Sequence, residues 1–172
     1  GERRVLDVTG LPTTGFGPGT LLWWATIAFM TIEGFTLLLV AASYLYLRMN
    51  QFEWPPAPYA EPDLLIPTIS TILLLVLILP MRGVYRAAKK YDRAGVARGL
   101  IITTVLTLPV IALRWFDLVA LNVRWDTNAY GSAAWGVVVL HGTLILVDLF
   151  ETGALAVLFH LGQAQRKHYS DA

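Results

Sequence analysis

The sequence predicts an all-α, polytopic transmembrane helix bundle with four spans. Three observations predict it. Hydrophobic residues make up 56% of the 172 positions and charged residues only 15%, against about 25% charged in soluble domains. The mean hydropathy is +0.58. The apolar residues fall in long runs separated by short charged or Pro-rich segments, the pattern of membrane spans rather than of core helices.

The first run, Leu21–Leu47, covers about 40 Å as a helix, enough to cross a hydrocarbon core of about 30 Å with tilt to spare. The second is Leu64–Tyr85. Pro67 stands in its first turn, where a missing N–H costs little, and Pro80 stands near its far end. The third is Gly99–Leu121, interrupted by Pro109. Proline removes the hydrogen bond to the carbonyl of Val105, so a kink is expected. Thr103, Thr104 and Thr107 lie nearby and are expected to satisfy the freed backbone. The fourth, Ala129–Gly162, exceeds one crossing, so it emerges at one end or tilts strongly. Neither internal repeats nor low-complexity segments interrupt this pattern, and the chain reads as a single integral membrane domain over 1–172.

Loop charge sets the orientation. Ten basic residues (Arg3, Arg4, Arg82, Arg86, Lys89, Lys90, Arg93, Arg98, Arg166 and Lys167) fall on one side, and two, Arg48 and Arg124, on the other. The positive-inside rule places both termini of the sequence in the cytoplasm, or in the matrix of an organelle. On the outer side the acidic, Pro-rich segment 50–63 is expected to be an ordered cap. The N-terminal segment GERRVLDVTGLPTTGFGPG lacks the short apolar core and cleavage site of a signal peptide. A net charge of +1 argues against a nucleic-acid partner. With no cysteine, disulfides and thiolate metal sites are excluded.

Ionisable residues inside the runs are the candidate functional positions, because a charge facing lipid is costly. Glu33 lies near the middle of the first span. His141, Asp148 and Glu151 form a polar stripe on the fourth: seven residues return a helix to within about 20°, and three residues keep neighbours on one surface. Read from the residues, the stripe fits a proton or ion path, a carboxylate–histidine metal site, a lipid site, or interhelical hydrogen bonds that fix register. Arg114 and Asp117 are spaced to pair at the outer end of the third span, beside Trp115, Phe116 and Trp125, which read as an aromatic belt. Trp23, Trp24, Tyr44 and Tyr46 bracket the first span in the same way. Small residues (Ala41, Ala42 and Ser43; Gly131, Ser132, Ala133, Ala134 and Gly136) predict close helix contacts. The three histidines are His141, His160 and His168, so no two spans face each other with imidazoles. Haem ligation by this chain and a 2-His-1-carboxylate iron site are rejected. A membrane enzyme lacks its nucleophile–base pair. A proton-coupled transporter using Glu33, Asp148 and Glu151 lacks paired repeats but stays open.

Two stretches carry a family likeness. LLWWATIAFMTIEGFTLLLVAASYLYLR, with its intramembrane Glu33, and NAYGSAAWGVVVLHGTLILVDLFETGALAVLFH, with its His141–Gly142 pair after an N-x-YGS entry, resemble the third and sixth helices of cytochrome c oxidase subunit III, of the haem–copper oxidase family. The lead-in LDVTGLPTTGFGPGTLLWW is similar to that of short bacterial members. The sequence departs from the family pattern at Thr143 and Leu144, where a second His often follows, and at Asp117, where Glu is usual. The first two helices and the seventh are absent, and the tail RKHYSDA resembles the loop leading into that seventh crossing.

The resemblance implies a non-catalytic subunit of a respiratory oxidase in the bacterial cytoplasmic membrane. It would pack against subunit I, hold phospholipid, and support oxygen access and proton uptake. Glu33 would be the cleft-side carboxylate. His141 would be a lipid or helix contact; Asp148, Glu151, Arg114 and Asp117, read from the residues alone, are further lipid or helix-contact candidates. Haem and copper would belong to partner subunits, with no metal on this chain. A related component of a quinol oxidase or nitric oxide reductase fits the same residues.

Overall fold

A computed structural model describes residues 16–172. The expectations that rest on Arg3, Arg4 and the lead-in before Phe16 lie outside the described residues. The described chain is all-helical, with four helices long and apolar enough to cross a membrane: α1 (Leu21–Met49), α2 (Leu65–Lys89), α3 (Arg93–Ala120) and α4 (Ala129–His160). A short 3-10 turn, Arg166–Tyr169, follows.

Each helix starts where a side chain meets its free N–H groups. Thr20 accepts from the Trp23 N–H, Asp92 from Gly95 and Asn128 from Gly131, the expected N-cap chemistry. At the start of α2, Asp63 accepts instead from the Leu65 N–H at 3.0 Å. The end of α4 is a Schellman motif. Gly162, at φ +75°, donates to the Phe159 carbonyl, and Gln163 donates to Leu158. The Arg93 guanidinium lies where a side chain at Gly162 would have to go.

The hydropathy runs and the helices differ at the basic end. The basic residues after Tyr85 are expected in a loop, but α2 continues to Lys89 and α3 begins at Arg93, leaving only residues 90–92 as the turn. The apolar run marks where hydrocarbon ends; backbone hydrogen bonds continue into water or head groups without it. Tyr91 makes the reversal with a left-handed φ of 55°, rare for a bulky residue. Its ring is held edge-on by Phe16 and Tyr169.

Helix contacts run in the order α2, α3, α4, α1, so α3 and α4 form the centre. The α2–α3 approach is closest at Gly95 and Gly99. A side chain at Gly99 would strike Val84, and one at Gly95 would meet the Ala87 Cβ at 2.9 Å. Two small residues four apart permit this backbone approach. α3 runs unbroken through Pro109, but the threonines do not serve the Val105 carbonyl. Thr103, Thr104 and Thr107 donate to Gly99, Leu100 and Thr103, each four residues back. Thr103 also reaches the Met81 sulfur of α2 at 3.5 Å, but none of the three turns to the Val105 carbonyl.

Apolar packing gathers at the two ends. The basic-end core is built on Val84, Val96, Leu100 and Phe159, with Tyr169 of the tail packed over it. The opposite core is built on Leu121, Val123, Tyr130 and Ala134, capped by Trp54 and Tyr59 of the Pro-rich segment. Trp54 stands edge-on between Tyr44 and Tyr130, at 5.4 and 5.3 Å between ring centroids. Gly131 lets α4 close on the Arg124 carbonyl, and the Trp135 indole donates to Val123 at 2.7 Å. The small residues of α1 do no such work: Ala41, Ala42 and Ser43 are all exposed.

Candidate functional site

The helix order leaves a cleft of about 340 Å³ on the α2–α3–α4 side of the bundle. Its walls are apolar residues of α2 and α3, among them Leu74, Leu77 and Leu100. Its polar groups come from Thr103, Thr107, Asp148, Glu151 and Thr152, with Asp171 at the basic-end mouth. No Lys or Arg lines it. Glu151 also lines a second hollow between α4 and the start of α1, again closed by Asp171. The tail residues 169–172 therefore cover the basic end of the space between α1 and α2.

Glu33 is positioned by the α1–α4 contact, where Val40 faces Gly136 at 3.9 Å from an added Cβ. Its carboxylate is within electrostatic reach of both Asp148 and Glu151. One oxygen, Oε1, is shielded and has no hydrogen-bond partner. Acids of two helices thus lie within electrostatic reach of one another, and no Lys or Arg lines the cleft beside Asp148 and Glu151. Among the described residues, no three metal-ligating side chains gather closely enough to hold an ion. What the arrangement offers is carboxyls of α4 lining a largely apolar space, with a third carboxyl on the neighbouring α1.

The fourth-span stripe divides between two surroundings. Asp148 and Glu151 face the cleft. His141 is about 10 Å further along the axis and feels the Arg114 guanidinium of α3, whose Cβ packs near Gly142. Arg114 Nη1 pairs with Asp117 Oδ2 at 2.9 Å, with side-chain exposures of 14% and 4%. The pair, expected in the outer half of the span, is shielded there, with Arg114 packed near Gly142 of α4. Trp115, Phe116 and Trp125 remain exposed around it. The pair is joined by one hydrogen bond only: Arg114 Nε and Asp117 Oδ1 are buried without partners.

Sequence reasoning missed a second polar position. Tyr130 is fully buried, and its hydroxyl has no partner, nor does the Trp54 indole N–H packed against it. The N-x-YGS entry contained Tyr130, but only the fold of segment 50–63 brings Trp54 onto it.

No family model matches the chain. Among curated proteins it aligns with the cytochrome c oxidase subunit 3 of Synechocystis sp. (strain ATCC 27184 / PCC 6803 / Kazusa), 25% identical over 154 residues, 90% of this chain and 64% of the relative. The chain is similar to cytochrome c oxidase subunit III. The subunit 3 of Thermostichus vulcanus is likewise 25% identical over 130 residues, 75% of this chain and 62% of the relative. The chain spans just under two thirds of the length of these relatives. The resemblance first drawn from the Glu33 and His141–Gly142 stretches thus extends over most of the sequence.

Proposed function

We propose that the chain is the non-catalytic subunit III of a respiratory oxidase, seated in a bacterial cytoplasmic membrane with its basic end inward. The observation that carries this is the similarity to two curated subunit 3 proteins, one of them across 90% of the chain. The charge distribution supports the orientation: Arg82, Arg86, Lys89, Lys90, Arg93 and Arg98 all fall at one end of the α2–α3 hairpin. In this reading electron transfer belongs to haem and copper of a companion subunit. The present chain contributes helices, lipid contacts and the acids around the cleft. Glu33, Asp148 and Glu151 exchange protons near the companion's uptake path and so sustain repeated turnover. The Arg114–Asp117 pair holds α3 against α4, and His141 is a lipid contact.

The test is made in the intact complex. Glu33→Gln keeps the chain assembled, because the Glu33 Oε1 makes no hydrogen bond that assembly needs. It shortens the number of turnovers before the oxidase inactivates, measured by oxygen consumption over time. Turnover lifetime and proton-uptake kinetics equal to wild type would remove Glu33 from the account. His141→Ala is expected to lower co-purifying phospholipid, and unchanged lipid by mass spectrometry would remove His141 as a lipid contact. A quinol-driven or nitric-oxide-reducing assembly is separated from a cytochrome c oxidase by the donor that supports turnover.

A further inference from the structure

A groove of about 290 Å³ runs along the outside of the α3–α4 pair at the basic end, lined by Ile101, Thr104, Val105, Gly153, Val157 and His160. Gly153 lies about 140° around α4 from Asp148, so this groove is separate from the acid-lined cleft. The Thr104 hydroxyl is turned away to the Leu100 carbonyl at 2.8 Å, and its methyl faces Gly153, 3.7 Å from an added Cβ. The trough is therefore apolar, and the small residues Gly153 and Ala156 make its depth.

Basic groups stand at one end only. Arg98 shares a stripe with Ile101 and Val105, and His160 shares one with Gly153, each seven apart at the widest. The Arg98 Nε donates to Ala94 at 3.3 Å, which draws the guanidinium toward the basic end, where its terminal N–H groups are unspent among the described residues. Arg93 lies against Gly162, two residues beyond His160. No carboxylate lines the groove, and the ion pairs among the described residues are Arg114–Asp117 and Arg124–Asp126, so among the described residues these arginines have no acid of their own. A helix, about 10–12 Å across with side chains, does not sink into a trough of this size, whereas a single hydrocarbon chain does.

We propose that this groove holds one acyl chain of an anionic phospholipid, with the phosphate bound by Arg98, His160 and Arg93. The site needs only a membrane-embedded chain and does not rest on the oxidase reading. Basic groups near the head-group layer favour anionic lipid, and guanidinium binds phosphate through paired N–H donors.

The experiment uses the full chain in its native assembly, with photoactivatable phosphatidylglycerol and phosphatidylcholine carrying the reactive group on the acyl chain. Phosphatidylglycerol adducts are expected at Val105 and Val157, about fivefold above phosphatidylcholine. Arg98→Gln with His160→Gln removes that preference and leaves phosphatidylcholine labelling in place. Gly153→Leu fills the trough and abolishes labelling by both lipids. Should Gly153→Leu not fold, the exposed Arg98 and His160 pair carries the test alone. Equal labelling by both lipids in the wild-type protein, adducts confined to other surfaces, or capture of a polypeptide at Val105 in place of lipid would each overturn the site.

Discussion

α1 and α3 are both apolar helices of nearly equal length, 29 and 28 residues, yet they live differently. One third of the most apolar stretch of α3 is buried within the chain, and none of α1 is. α3 has glycines where it meets α2, threonine hydroxyls turned onto its own backbone, and a shielded ion pair where it meets α4. α1 touches mainly α4, through Gly136 and Val40, and turns Phe29, Phe35, Leu38 and Leu39 outward. Hydropathy treats them alike because lipid and protein interior are equally apolar. What separates them is that α3 meets two helices, which cover its Gly95, Gly99, Arg114 and Asp117, whereas Ala41, Ala42 and Ser43 of α1 stay exposed. Glu33 is the exception on α1, and its position toward Asp148 and Glu151 marks the one side of that helix with protein neighbours.

Substitutions can break this contrast. The largest effect is expected from Asp117→Ala, which leaves the Arg114 guanidinium buried without its carboxylate. The cost is about 3–5 kcal/mol, read as loss of the folded chain in a thermal or denaturant melt in detergent. A melt within 1 kcal/mol of wild type would show that the pair is hydrated rather than shielded. Gly99→Leu forces a side chain into Val84 and spreads the α2–α3 hairpin, at about 1–3 kcal/mol; Gly99→Ala is expected to lie between the two. On α1, Phe35→Ala changes the stability of the isolated chain by less than about 0.5 kcal/mol, since Phe35 is 62% exposed. A larger loss would mean that α1 is packed more deeply than its contacts indicate. The smallest effect is expected for Tyr130→Phe. It removes a buried hydroxyl with no partner, so stability stays level or rises slightly. A clear loss would reveal a water or ligand on that hydroxyl.

Much of this was legible in the residues. Four apolar runs gave four helices, and the Arg114–Asp117 spacing gave an ion pair. The helix ends at the basic side were not legible, because Lys89 and Arg93 are charged and helical at once, and hydropathy reports only the charge. Gly95 and Gly99 were visible but sit at the edge of the third run, where a loop was expected. Periodicity put His141, Asp148 and Glu151 on one stripe. It could not tell that Arg114 would stand opposite the first and a cleft opposite the other two, because a stripe on one helix does not name its neighbour. Trp54 on Tyr130 needed the path of a Pro-rich segment that carries no periodic signal.

The most direct test of the central claim is purification of the full chain from its native membrane in mild detergent, with an optical spectrum of what accompanies it. The account predicts stoichiometric co-purification with a haem-bearing subunit whose reduced-minus-oxidised spectrum shows bound haem and whose oxygen consumption depends on a respiratory electron donor. A chain that purifies alone, or with companions that carry no haem, would contradict it.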